Sequence, residues 1–131
     1  MDDTPPPQVW PTLRASDARA LIRFLVDVVG FEETVVYAEG DEVSHAQLSW
    51  PLGGGVMLGS ARDDGMGLPG STSCYVVVED ADALFERIRS SGATVITEPH
   101  TTDYGSRDFA IRDPEGNHWS FGTYRGEPRS G

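Results

Sequence analysis

The chain has 131 residues, enough for one ordinary hydrophobic core and too few for two large domains. Ten Lys plus Arg stand against 21 Asp plus Glu, a formal charge of -11 that repels nucleic-acid phosphates and anionic membrane surfaces at long range and favours cationic or neutral ligands. One cysteine excludes an internal disulfide, and the acidic, Pro-rich start MDDTPPPQ lacks the charge and apolar run of a signal peptide, so the expected location is the cytoplasm, with no membrane and no nucleic-acid partner.

From Val9, the apolar VWPTL predicts a strand, and Ser16-Asp17 then open a helix over DARALIRFLVDVVGF. Ala20, Leu21, Phe24, Leu25 and Val28 follow helical spacing up to a stop at Gly30. ETVVYAE, SHAQLSW and GVMLGSA follow as three strands parted by turn residues, closing a β-α-β-β-β module over about residues 8–61. After a linker, RDDGMGLPGS at 62–71, the order repeats over about 72–124: STSCYVVVE as a strand, DADALFERIRSSG as a helix ending at Gly92, then ATVITEP, RDFAIRD and NHWSFGTY as strands. Residues 1–7 and 125–131 are tails, and the Pro-rich arm from Thr4 to Gln8 reads either as a disordered tail or as a segment lying across a partner.

The halves align at one offset. Asp17-Ala18 lies over Asp80-Ala81, and 63 residues also separate AQLSWPLGGGVMLGSA from FAIRDPEGNHWSFGTY, bringing Pro51 to Pro114, Gly53 to Gly116 and Gly59 to Gly122. Matches of common residues arise by chance, but one offset at both ends of the module argues for an internal duplication. The expected fold is α+β, a single domain of two tandem βαβββ modules whose mixed sheets carry helices on their outer faces and enclose a cupped groove.

Three stretches, TLRASDARALIRFLVDVVGFEE, VEDADALFERIRSSGATVITEP and YGSRDFAIRDPEGNHWSFGTY, resemble the vicinal oxygen chelate superfamily, which includes glyoxalase I, bleomycin resistance proteins, extradiol dioxygenases and fosfomycin-modifying enzymes. The resemblance runs from about Val9 to Tyr124. It implies metal-ligand positions seven residues before each helix-opening Asp and four after each turn glycine. Trp10, Met57, Ser73 and Ser120 stand there. An indole, a thioether and two hydroxyls are poor ligands for a divalent ion, so no metal and no other cofactor is expected.

Alternation along the strands adds Thr12 and Arg14 beside Trp10, Gly55 and Gly59 beside Met57, Tyr75 and Val77 beside Ser73, and His118, Gly122 and Tyr124 beside Ser120. The opposite faces carry Leu13, Val56, Leu58, Cys74, Val76, Val78, Trp119 and Phe121, a set suited to packing under helices. Trp10, Tyr75 and Tyr124 are the first candidates for contact with a flat, partly apolar ligand, although bulky side chains also simply fill grooves. Arg14 has two readings: partner to an anionic ligand group, or a cation neutralised by a carboxylate of its own chain. His118 is the one groove residue able to exchange protons near neutral pH, with a hydrogen-bonded structural role as its plainer reading. His45 and His100 show no ligand spacing, Cys74 reads as a small core residue, and Gly53-Gly54-Gly55 reads as a tight turn. Tyr104 and Arg107, in the loop HTTDYGSRDF at 100–109, are secondary ligand candidates.

The leading expectation is a metal-independent protein that sequesters a drug-like or metabolite ligand, cationic or aromatic, in that groove. The alternative is a metal-dependent glyoxalase-like lyase, isomerase or dioxygenase holding Ni, Zn, Mn or Fe through unconventional ligands such as His118 with His45 or Glu115. A third reading is a metal-free enzyme with His118 or Tyr75 as acid or base. The resemblance also implies a homodimer.

Overall fold

The computed structural model describes residues 6–65 and 67–128; Thr4 and Pro5 of the Pro-rich arm, and the last three residues, lie outside them. The chain forms two compact units, residues 1–69 and 70–131. Each contains a four-stranded mixed sheet and one helical segment, so the architecture is α+β with two tandem modules.

The first unit contains β1 (Thr12–Ala15), α1 (Ala18–Arg23), β2 (Glu32–Glu39), β3 (Glu42–Ser49) and β4 (Gly55–Ser60), in the sheet order β1-β4-β3-β2. β1 is parallel to β4, and the other pairs are antiparallel. The second contains β5 (Ser73–Val77), α2 (Ala81–Ser90), β6 (Thr94–Thr101), β7 (Arg107–Arg112) and β8 (His118–Gly122), in the matching order β5-β8-β7-β6. Registers match too: Thr12 faces Met57 as Tyr75 faces Ser120, and Ala46 faces Leu58 as Phe109 faces Phe121, each pair 63 residues on. β1 starts later than VWPTL suggests, because Pro11 has no N–H to donate. Its carbonyl still accepts from Met57 N at 2.9 Å.

Asp17 and Asp80 cap the two helices, their Oδ1 atoms accepting from Ala20 N at 3.1 Å and Ala83 N at 3.0 Å. The helices then differ. α1 continues as a π-helix over Phe24–Val29, where Gly30 N donates to Leu25 O at 2.9 Å, five residues back. β2 begins at Glu32 and β6 at Thr94, while their partners Ser49 and Arg112 keep the 63-residue offset. One more residue separates the cap from the next strand in the first module, and the wider turn absorbs it. Gly30, at φ 110°, then ends the segment in the left-handed region that favours glycine.

One face of each sheet is sealed by its helix. Leu13, Leu48, Val56 and Leu58 meet Leu21, Ile22 and Leu25 in the first core, all at most 6% exposed. The second core is aromatic: Phe109 stacks on Phe121 at 5.0 Å and takes the edge of Phe85 at 5.3 Å. Full burial of each such side chain contributes about 1.5–3 kcal/mol.

The hairpin DPEGNHW owes its geometry to Asp113. This buried carboxylate accepts from Glu115 N, Asn117 N, Asn117 Nδ2 and Trp119 Nε1 at 2.8–3.0 Å. The first module makes the same backbone turn, with Trp50 N donating to Gly54 O at 2.9 Å, but there Trp50 packs on Phe31 at 4.9 Å. Among the described residues, no helix is long and apolar enough to cross a membrane.

Candidate ligand-binding site

On the first sheet's face away from the helix, Thr12 and Arg14 of β1 lie beside Met57 and Gly59 of β4. These four, with Ser44, His45 and Arg62, line a hollow of about 240 Å³. Gly59 keeps it open: a Cβ there would sit 3.1 Å from Ser44 O and 3.4 Å from Arg14 Nη1. Arg14 Nη2 donates to Asp64 Oδ2 at 3.0 Å, so a carboxylate of the same chain holds one arm of the guanidinium. Arg62 Nη2 donates to Ser44 O at 2.6 Å. His45 stacks with Tyr37 at 6.2 Å. Trp10 lies just before β1, over Gly55, where a Cβ would meet the indole Cζ3 at 2.9 Å.

In the second unit the structure brings together Tyr75, Tyr104 and Tyr124. Tyr75 Oη donates to Tyr124 O at 2.7 Å, and the Tyr104 and Tyr124 rings meet edge to face at 5.5 Å. Tyr124 N donates to Ser106 Oγ at 3.0 Å, and Ser106 Oγ is hydrogen-bonded to Asp108 Oδ1. Burial pushes the Tyr75 phenol above its ordinary pKa, and the Asp108 carboxylate adds to the rise. The rings stay accessible: Tyr75 is 45%, Tyr104 65% and Tyr124 38% exposed. Ser73 is exposed opposite His118, and half-buried Ser120 lies opposite Tyr75. His118 Nδ1 is buried without a hydrogen-bond partner among the described residues.

Arg107 is placed elsewhere. Its parity on β7 matches that of the buried Phe109 and Ile111, and its guanidinium donates to Asp82 of α2 at 3.0 and 3.2 Å. Cys74 packs on the helix-facing side as expected, its thiol pushed up to about 11 by burial and then by the Asp113 carboxylate. Ser44, Arg62 and Asp64 are the residues that sequence reasoning missed. The signal was present in the ARDDG run that leaves β4 beside β1 and its lone arginine, but a linker reading passes over it.

Trp10, Met57, Ser73 and Ser120 offer no imidazole, carboxylate or thiolate, a donor set that does not fit a divalent transition ion. Among the described residues, no group of three or more His, Cys, Asp or Glu side chains is arranged to hold a metal.

Comparison with known proteins gives three kinds of match. The family model Glyoxalase/Bleomycin resistance protein/Dioxygenase superfamily matches residues 8–121. Among solved structures, TioX from Micromonospora sp. ML1 is similar with a TM-score of 0.72 and 27% identity, covering 88% of this chain and 98% of that one. TnmS3, an antibiotic binding protein from Streptomyces sp. CB03234, shares the fold with a TM-score of 0.68 at 24% identity, covering 84% of this chain and 88% of that one. An uncharacterized protein of Mycobacterium bovis, Mb0911c, is 42% identical over 48 residues, 37% of this chain and 32% of the relative, so the match spans about a third of that protein.

Proposed function

Since the chain belongs to the glyoxalase/bleomycin resistance protein/dioxygenase superfamily, we propose that it is a member that binds a small organic ligand without a metal and sequesters it. The observation that carries this reading is the donor chemistry of Trp10, Met57, Ser73 and Ser120, which keeps the positions and abandons the ligands. The exposed rings of Tyr75, Tyr104 and Tyr124, and the indole of Trp10 seated on Gly55, offer flat apolar surface for an aromatic drug or metabolite. The antibiotic binding protein TnmS3 supplies a precedent on the same fold. A homodimer acting in the cytoplasm completes the reading, and sedimentation at micromolar concentration tests the dimer.

The test has two parts. Protein purified without a metal-binding tag is assayed for metal, then titrated with Ni, Zn, Mn and Fe; less than about a tenth of an equivalent is expected. A full equivalent held tightly would put the metal-dependent lyase, isomerase or dioxygenase first. The apoprotein is then screened by thermal shift and tryptophan quenching against aromatic natural products, including cationic glycopeptides, and silence across the panel sinks sequestration.

A further inference from the structure

Around the first unit's hollow the charge runs against the chain. The chain carries -11, yet two guanidiniums and an imidazole line this hollow, and the carboxylate set against them is Asp64. Arg14 is the more buried of the two guanidiniums, its side chain only 16% exposed, and a charge so far from water needs a partner. Its partner comes from the stretch that leaves β4, and the Asp64 side chain is 34% exposed. The pair is single-stranded: Nη2 reaches Asp64, while Nη1 faces the space that Gly59 leaves open. A guanidinium presents a planar fork that takes an oxyanion through two parallel bonds, and here half of the fork remains available. Arg62, exposed at the rim, donates to the neutral carbonyl of Ser44 and adds a second positive charge beside the hollow.

We propose that this hollow receives an oxyanion carried by a flat ligand, a carboxylate or an ionised phenol or enol, and that Asp64 is a built-in competitor holding Arg14 until that group arrives. The inference rests on the small-molecule reading above and narrows it. The ligand's apolar surface meets the Met57 thioether, its oxyanion takes the Arg14 fork, and Asp64 is displaced into solvent. Net charge alone favours a cation, but the field that a bound group feels is set by its nearest charges.

Isothermal titration with three naphthalenes of one shape tests this: 2-naphthoate, 2-naphthamide and 2-naphthylmethylammonium. Native protein should bind naphthoate most tightly. D64N removes the competitor and should tighten naphthoate about threefold while leaving naphthamide unchanged. R14Q should weaken naphthoate roughly tenfold or more and naphthamide by less than about twofold. Should R14Q fail to fold, D64N carries the test alone, since its side chain is partly in solvent. Naphthoate binding that is unchanged or weaker in D64N overturns the competitor. Tight binding of the amide or ammonium without preference for the carboxylate overturns the oxyanion assignment and leaves the proposed function standing. No binding of any of the three overturns the oxyanion assignment and counts against the wider reading as well.

Discussion

At Gly59 the space left by the missing side chain is bordered by the Arg14 guanidinium, whereas at Gly122, 63 residues on, it is taken by the Asp108 carboxylate and the Tyr75 hydroxyl. The parallel pairing beside the two glycines is the same, Arg14 facing Gly59 as Val77 faces Gly122. Strand pairing is set by main-chain bonds and by the apolar face under each helix, so it constrains alternate residues only. The other face is free to diverge, and it has: one copy presents cations around a hollow, and the other presents three tyrosines and a carboxylate. The hairpins diverge in the same way, with a polar lock at Asp113 and an aromatic one at Trp50.

The sharpest way to break the symmetry is to remove one lock. Asp113→Ala strands two backbone N–H groups, the Asn117 amide and the Trp119 indole N–H inside the second unit. The expected loss is about 3–5 kcal/mol, read from urea denaturation. Trp50→Ala deletes a half-buried ring and strands no buried carboxylate, so its expected cost is smaller, about 2 kcal/mol. Equal losses would mean that the two hairpins are held by their backbone turns and that the side-chain locks are incidental.

The paired glycines sharpen the same contrast at smaller scale. A Cβ at Gly122 would stand 2.6 Å from Tyr75 Oη and deep inside contact with Asp108, both of which are held by hydrogen bonds. Gly122→Ala should therefore cost about 2–3 kcal/mol and raise the exposure of Tyr75. At Gly59 the nearest atoms lie at 3.1–3.4 Å, so Gly59→Ala should cost about 1 kcal/mol. Thermal denaturation of the two variants decides it, and the reverse ranking would show that the Tyr75–Asp108 arrangement yields more easily than β3.

Cys74 reports on the second module alone. With its thiol pushed up to about 11 against a free value of 9.0, it should react with iodoacetamide about a hundredfold more slowly at pH 8 than an unfolded thiol, with the rate climbing up to about pH 11. The linkage has a definite sign. The native state keeps this proton through a window in which the unfolded state has lost it, so the contribution is complete below about pH 9 and falls away between about pH 9 and 11. Stability that rises across that window would remove burial as the cause.

Much of the fold is legible in the sequence, for physical reasons. The duplication was visible because turn glycines and prolines are placed by backbone demands, and both copies keep Pro51 with Pro114 and Gly53 with Gly116. Helix starts were visible because Asp17 and Asp80 do a job that few residue types can do. The site was less legible. Alternation placed Thr12, Arg14, Met57, Tyr75 and Ser120 on the sheet faces away from the buried residues, but it says nothing of a residue that returns from a linker, which is how Asp64 reaches Arg14. Arg107 reads both as the first residue of the strand RDFAIRD and as part of the loop at 100–109; on β7 it shares the parity of Phe109, and its guanidinium pairs with Asp82 of α2. The DPEGN motif pointed to kinship without showing that Asp113 organises it.

The π-helix was invisible because the spacing of Leu21, Phe24, Leu25 and Val28 suits an ordinary helix equally well; only the strand register exposes the additional residue. It yields the comparison's mildest test. Asp27 is exposed within the wide turn, so its deletion should let the segment close into an α-helix of the second module's length. β2 would then keep Glu32 opposite Ser49, and stability should change by no more than about 1 kcal/mol, because the helix trades one wide turn for regular bonds. If β2 shifts by one residue instead, its side chains exchange faces and Val35 and Val36 swap surroundings, at a cost of several kcal/mol. Amide exchange along β2, read together with the denaturation midpoint, separates these outcomes: protection kept on the same residues means that the helix absorbs the deletion as it absorbed the insertion, and protection moved by one means that the π turn is what holds the strand in register.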